Sequence, residues 1–119
     1  MSDHQNLRMD YIEFPATDVE ATKRFYHEVF GWDFTDWGPG YTSFHDGRIG
    51  GGFNTEAKVA SGSQTTGVLV VLYAKDLEGT YNKVQSAGAR IVREIFEFPG
   101  GRRFHFADPN GNELAVWSE

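Results

Sequence analysis

Side chains able to do chemistry are few in this 119-residue chain. It has no cysteine, so thiolate nucleophiles, thiolate metal sites and disulfides are excluded. Of its four histidines, His4 lies in a polar N-terminal tail, His27 falls off the apolar stripe of a helical segment, and His45 adjoins an Asp46-Gly47 turn. His105 sits inside a strand-like run, two residues after Arg103. Two carboxylates, Glu13 and Glu113, stand in strand-like runs of their own. Strand side chains alternate, so Tyr11 shares a face with Glu13, and Ala115 shares one with Glu113 and Trp117. A carboxylate and an imidazole on one site can move a proton next to a carbonyl.

Each of these residues also has a plainer reading. Glu13 can pair with Arg103 as a structural ion pair, and Arg103 can be an exposed charge at a loop edge. His105 can be a core histidine satisfied by a neighbour. Trp117 can be packing, Tyr11 a wall, and Glu113 a solvated charge beside a turn. Asp108 reads as a turn former.

The elements that position these groups come in two copies. Asp18 opens a helical pattern that Gly31 closes, and Asp76 opens another that Gly88 closes; the starts are 58 residues apart and the stops 57. Such an offset marks a duplicated module. Thr17 and Glu20 have the spacing of a capping box, and Phe25, Tyr26 and Val29 make the helical stripe. Strands are expected at residues 9–14, 32–37, 41–45, 48–53, 68–74, 90–96, 103–107 and 113–117. Gly50, Gly51 and Gly52 in the fourth permit a bulge or a close backbone approach. The order is β-α-β-β-β twice, residues 9–53 and 68–117, joined by a polar linker at 54–67, within a single domain over 1–119. The expected fold class is α+β, with two curved sheets forming a cup and helices outside.

Composition excludes several functions. A net charge of −6 argues against nucleic-acid binding, which needs a basic patch. No apolar stretch reaches the roughly 20 residues of a membrane span. The N-terminal residues carry no hydrophobic signal region, and a cytoplasmic location is expected. Aromatic residues make up 15% of the chain, enough to fill a core or to line a small-molecule pocket.

The run YIEFPATDVEATKRFYHEVFGWDF resembles the opening of glyoxalase/bleomycin-resistance proteins, the vicinal oxygen chelate superfamily. The ending GGRRFHFADPNGNELAVW resembles their closing strand, DPxGN turn and strand, and GGGF at 50–53 fits as well. The nearest likeness is to a subgroup of predicted lactoylglutathione lyase-related proteins. Members include lyases, isomerases, dioxygenases and drug-binding proteins, so the resemblance implies the fold and leaves the activity open.

In metal-dependent members, the resemblance puts ligands on the first strand, on the first strand of the second module, and on the last strand. Here those places hold Tyr11, Val70 and Ala115. Two of these have no lone pair, so no metal site and no cofactor are expected. The resemblance places Arg103 and His105 where relatives contact ligand. The expected cup thus carries Tyr11, Glu13, Arg103, His105, Glu113 and Trp117 around an apolar floor of Val70, Leu72 and Ala115, with Phe44 and Phe53 as further wall. The partners implied are a small-molecule ligand and a second copy in a homodimer, with the modules pairing within one chain or across two.

Three functions stay open. The first is a metal-free protein that binds a small molecule in the cup. The second is a lyase or isomerase using Glu13 and His105 for proton transfer, with a lactoylglutathione lyase-like enzyme on a displaced metal as its variant. The third is an assembly module whose cup is filled by its own side chains.

Overall fold

The computed structural model describes residues 4–56 and 68–119; most of the expected linker, residues 57–67, lies outside them. The chain divides into two compact units, Met1–Val59 and Ala60–Glu119. No helix among the described residues is long and apolar enough to cross a membrane.

The first unit runs β1 (Tyr11–Pro15), α1 (Val19–Phe30), β2 (Asp33–Asp36), β3 (Tyr41–His45) and β4 (Gly50–Asn54). Its sheet has the order β1-β4-β3-β2, with β1 parallel to β4 and the other pairs antiparallel. The cap of α1 is Asp18 rather than the expected Thr17. Its carboxylate accepts from the Ala21 N–H at 3.0 Å. Glu20 therefore falls one residue short of the box position and pairs with Lys23 instead. Gly31 ends the helix at φ +75°, a conformation that costs glycine little.

Aromatic rings fill the space between α1 and the sheet. Tyr26 stacks on Trp32 at 4.5 Å, Trp32 on Phe44 at 4.4 Å, and Phe14 on Phe53 at 5.1 Å. Burying each such ring contributes about 1.5–3 kcal/mol. Phe44 and Phe53, expected as cup wall, thus belong to the core under α1. Phe44 lies across Gly51, where a methyl group would overlap its ring. The Asp46-Gly47 hairpin forms as expected, with Asp46 Oδ1 accepting from the Arg48 and Ile49 N–H groups at 2.8 Å each.

The second unit repeats the plan: β5 (Val70–Tyr73), α2 (Leu77–Ser86), β6 (Arg90–Phe98), β7 (Gly101–Ala107) and β8 (Glu113–Ser118). Its sheet order is β5-β8-β7-β6, again with the outer parallel pair. Asp76 caps α2 by accepting from the Gly79 N–H at 3.0 Å. Leu77 and Val84 pack with Phe104, Phe106, Leu114 and Val116 as the buried core. Asp108 Oδ1 accepts from the Asn110 and Asn112 N–H groups at 2.9 Å each, which supports its reading as a turn former.

Two register shifts interrupt the β6–β7 ladder, one between Ile91 and Arg93 and one between Arg93 and Phe96. Each extra residue reverses the alternation beyond it. The first sets Arg93 opposite His105, and the second brings Phe96 opposite Arg103.

Candidate functional site

Each sheet has one face under its helix and one face away from it. On the first unit's outer face, Gly52 pairs with Glu13 on β1 and with Ser43 on β3. A methyl group at Gly52 would overlap the hydroxyls of Tyr41 and Tyr11, so the glycine is what lets the two phenols cross the strand. Those hydroxyls bond to each other. Tyr41 also donates to Glu13 Oε1 at 3.2 Å, and the Asn54 amide donates to Glu13 Oε2 at 3.3 Å. Burial first, and then the bonds to Tyr11 and Glu13, push the Tyr41 hydroxyl well above the usual tyrosine range. Both carboxylate oxygens of Glu13 are thus engaged. Tyr11 and Glu13 share a face as expected. Tyr41 and Asn54 were missed, although counting back from the Asp46-Gly47 turn puts Tyr41 opposite Asn54.

The second unit's outer face is different. β7 and β8 pair Arg103 with Trp117, His105 with Ala115, and Ala107 with Glu113. His105 Nδ1 lies 2.8 Å from Glu113 Oε2, and the two side chains are 9% and 10% exposed. A carboxylate only accepts, so Nδ1 carries the hydrogen of this bond; when the imidazole is neutral, Nε2 presents a lone pair. Among the described residues, Arg103 Nε, His105 Nε2 and Glu113 Oε1 are buried without a hydrogen-bond partner. Leaving such a group unpaired costs about 1–3 kcal/mol, and here three of them share one face.

Aromatic rings surround these groups. Phe96 lies 5.8 Å from the His105 ring, and Trp117 meets Tyr73 at 5.2 Å and Phe98 at 6.1 Å. The Arg93 guanidinium sits 3.5 Å from the Phe96 ring centre, and that of Arg103 is 5.4 Å from both Phe96 and Phe98. Arg93, Phe96 and Phe98 were missed because the two bulges in β6 have no glycine or proline to announce them.

Of the three expected floor residues, one is placed as expected. Ala115 lies on this outer face, but β5 pairs Val70 with Leu114 and Leu72 with Val116, on the helix side. Val71 and Tyr73 face outward in their place, at 41% and 53% exposure. The repeat itself carried the signal: the 58-residue offset between the caps maps Glu13 onto Val71.

These residues do not fit the metal that the resemblance implies. The outward position level with Ala115 on β5 is Val71, so two of the three donor places remain aliphatic. Among the described residues, no three His, Cys, Asp or Glu side chains gather where they could hold an ion. A separate depression of about 490 Å³ on the first unit is lined by Glu20, Lys23, Arg24, His27, Asp33 and Phe34, and none of the expected site residues lies in it.

Comparison with known proteins agrees with this architecture. Residues 8–116 match the Glyoxalase/Bleomycin resistance protein/Dioxygenase superfamily. The protein CFP32 of Mycobacterium bovis, which carries a glyoxylase name, is 24% identical over 129 residues. That alignment takes in 98% of this chain and 47% of CFP32, so the chain spans about half the length of the curated relatives it matches. Among solved structures, the fosfomycin resistance protein FosX of Mesorhizobium loti superposes with a TM-score of 0.78 at 17% identity, over 97% of this chain and 94% of FosX. TnmS3, an antibiotic binding protein of Streptomyces sp. CB03234, gives 0.71 at 21% identity, over 97% of this chain and 98% of TnmS3. With a family match over nearly its whole length and two βαβββ units of the matching fold, the chain belongs to the Glyoxalase/Bleomycin resistance protein/Dioxygenase superfamily.

Proposed function

We propose that this protein binds a small organic molecule on the outer face of the second sheet, without a metal ion at the positions its relatives use. One observation carries this reading: Arg103 Nε, His105 Nε2 and Glu113 Oε1 are buried on one face with no protein partner. A bound molecule that supplies complementary donors and acceptors removes that cost, while Phe96, Phe98 and Trp117 give it apolar contact. The same fold serves an antibiotic binding protein in TnmS3, so the architecture admits such a role. The test is calorimetric titration of hits from a thermal-shift library, with and without EDTA. Ligand affinity should be unchanged by chelator and at least about tenfold weaker in His105→Ala, which loses one buried hydrogen bond. Binding that needs one divalent ion per chain, or that His105→Ala and Glu113→Gln leave untouched, would contradict the proposal.

A second reading, proton transfer by a lyase or isomerase, is favoured by one observation. Glu113 orients His105 through Nδ1 and leaves Nε2 as a base. In this version the carboxylate partner is Glu113, not the expected Glu13, whose oxygens are held by Tyr41 and Asn54. The proposal extends to a cytoplasmic homodimer, for which light scattering should give twice the chain mass of 13.4 kDa. A single-chain mass at working concentration would count against it.

A further inference from the structure

Resting on the reading of this face as a ligand site, we infer the ligand's class: a singly charged aromatic carboxylate that carries a hydroxyl or amino donor. The charge on the face points the same way as its hydrogen-bonding groups. The chain has a net charge of −6. The outer face of the second sheet nevertheless carries Arg90, Arg93 and Arg103, by their pairing with Ala107, His105 and Trp117 or Phe96. Against these three arginines stand two carboxylates, Glu113 and Glu119, the latter accepting from Tyr73 at 2.6 Å. Counting side chains with a neutral His105, one positive charge is left over, which suits a monoanion better than a neutral molecule or a dianion.

The unpaired atoms then fix the orientation. Arg103 Nε–H is a buried donor and requires an acceptor. Glu113 Oε1 accepts and requires a donor, as does His105 Nε2 when the imidazole is neutral. A ligand carboxylate is repelled from Glu113 and drawn to Arg103. The ligand must therefore present its anion at Arg103 and its hydroxyl or amino hydrogen at the Glu113–His105 pair. Phe96, Phe98 and Trp117 provide ring faces and edges for the aromatic body between them. A molecule that lacks the donor leaves both acceptors unpaired, and one that lacks the carboxylate leaves Arg103 Nε–H unpaired. A site built on such groups rejects the incomplete analogue.

The experiment is calorimetric titration of the full chain with benzoate, phenol, hydroxybenzyl alcohol, the hydroxybenzoate isomers and the hydroxynaphthoates. At least one hydroxyaryl carboxylate should bind about tenfold tighter than both the matching unsubstituted carboxylate and the matching neutral phenol. In Arg103→Gln, its affinity should fall to that of the neutral phenol, with the fold confirmed by circular dichroism. The wild-type comparison decides by itself if that variant does not fold. Equal affinities across the series, or a neutral member that binds as tightly as its carboxylate, would overturn the inference and leave the small-molecule reading standing. No binding by any member also overturns it, and the unbiased library screen then judges the broader reading separately.

Discussion

At Gly52 the absence of a side chain lets two phenols meet over one strand, and the result is a continuous hydrogen-bond chain. Tyr11, Tyr41, Glu13 and Asn54 satisfy one another. His105 and Glu113 bond to each other, yet His105 Nε2, Glu113 Oε1 and Arg103 Nε keep no partner, and the proposed binding role of this face rests on that difference. Sequence alone put Tyr11 with Glu13 and Arg103 with His105, since both pairs follow from strand alternation. It had no means of showing which carboxylate would hold the imidazole, because that depends on β7 and β8 pairing across the Asp108 turn. The bonding of Tyr41 has a measurable consequence. Its raised hydroxyl pKa means that its contribution to stability is complete below the ordinary tyrosine range, about 10, and is lost as pH rises through the folded value. Tyr41→Phe should remove the most alkaline phenolate step in a spectrophotometric titration and flatten the alkaline fall in stability. Loss of a step in the ordinary tyrosine range, about 10, with the most alkaline step kept, would mean that Tyr41 ionises as an ordinary exposed phenol.

At the scale of elements, the caps and turns were legible because their chemistry is local. Asp18, Gly31, Asp76 and the Asp46-Gly47 hairpin stand within a residue of where their types require. Which way a strand faces was harder to read, since a shift of one residue exchanges its two faces. Val70 and Leu72 went to the wrong face for that reason, and the β6 bulges hid Arg93 and Phe96. Phe44 and Phe53 were misplaced for a related one: a glycine-rich β4 gives no alternation to read, yet Gly51 is the slot into which Phe44 packs. Phe53 is fully buried, with Phe14, Tyr26 and Phe44 ring centres within 5.5 Å. Phe53→Ala should therefore cost about 3–5 kcal/mol of unfolding free energy. Chemical denaturation measures it, and a loss below about 1 kcal/mol, the scale of a surface change, would show that Phe53 is not core.

At the scale of the molecule, one module has been used twice with different outcomes. The caps, the strand order and the parallel outer pair recur in both units, which is why the architecture could be read from the sequence. The outer faces have diverged: the first engages its polar groups in its own hydrogen bonds, and the second is basic, aromatic and incompletely paired. The family match fixes the fold, while Val71 and Ala115, level with each other on β5 and β8, are aliphatic and offer an ion no donor. The function proposed for this protein depends on a small molecule binding at Arg103, His105 and Glu113. A crystal structure of the protein with its tightest library ligand tests this most directly. Ligand atoms are expected within hydrogen-bond distance of Arg103 Nε and of His105 Nε2 or Glu113 Oε1, with no metal ion between them. A ligand seated elsewhere, or one held through a metal ion on this face, would contradict the proposed function.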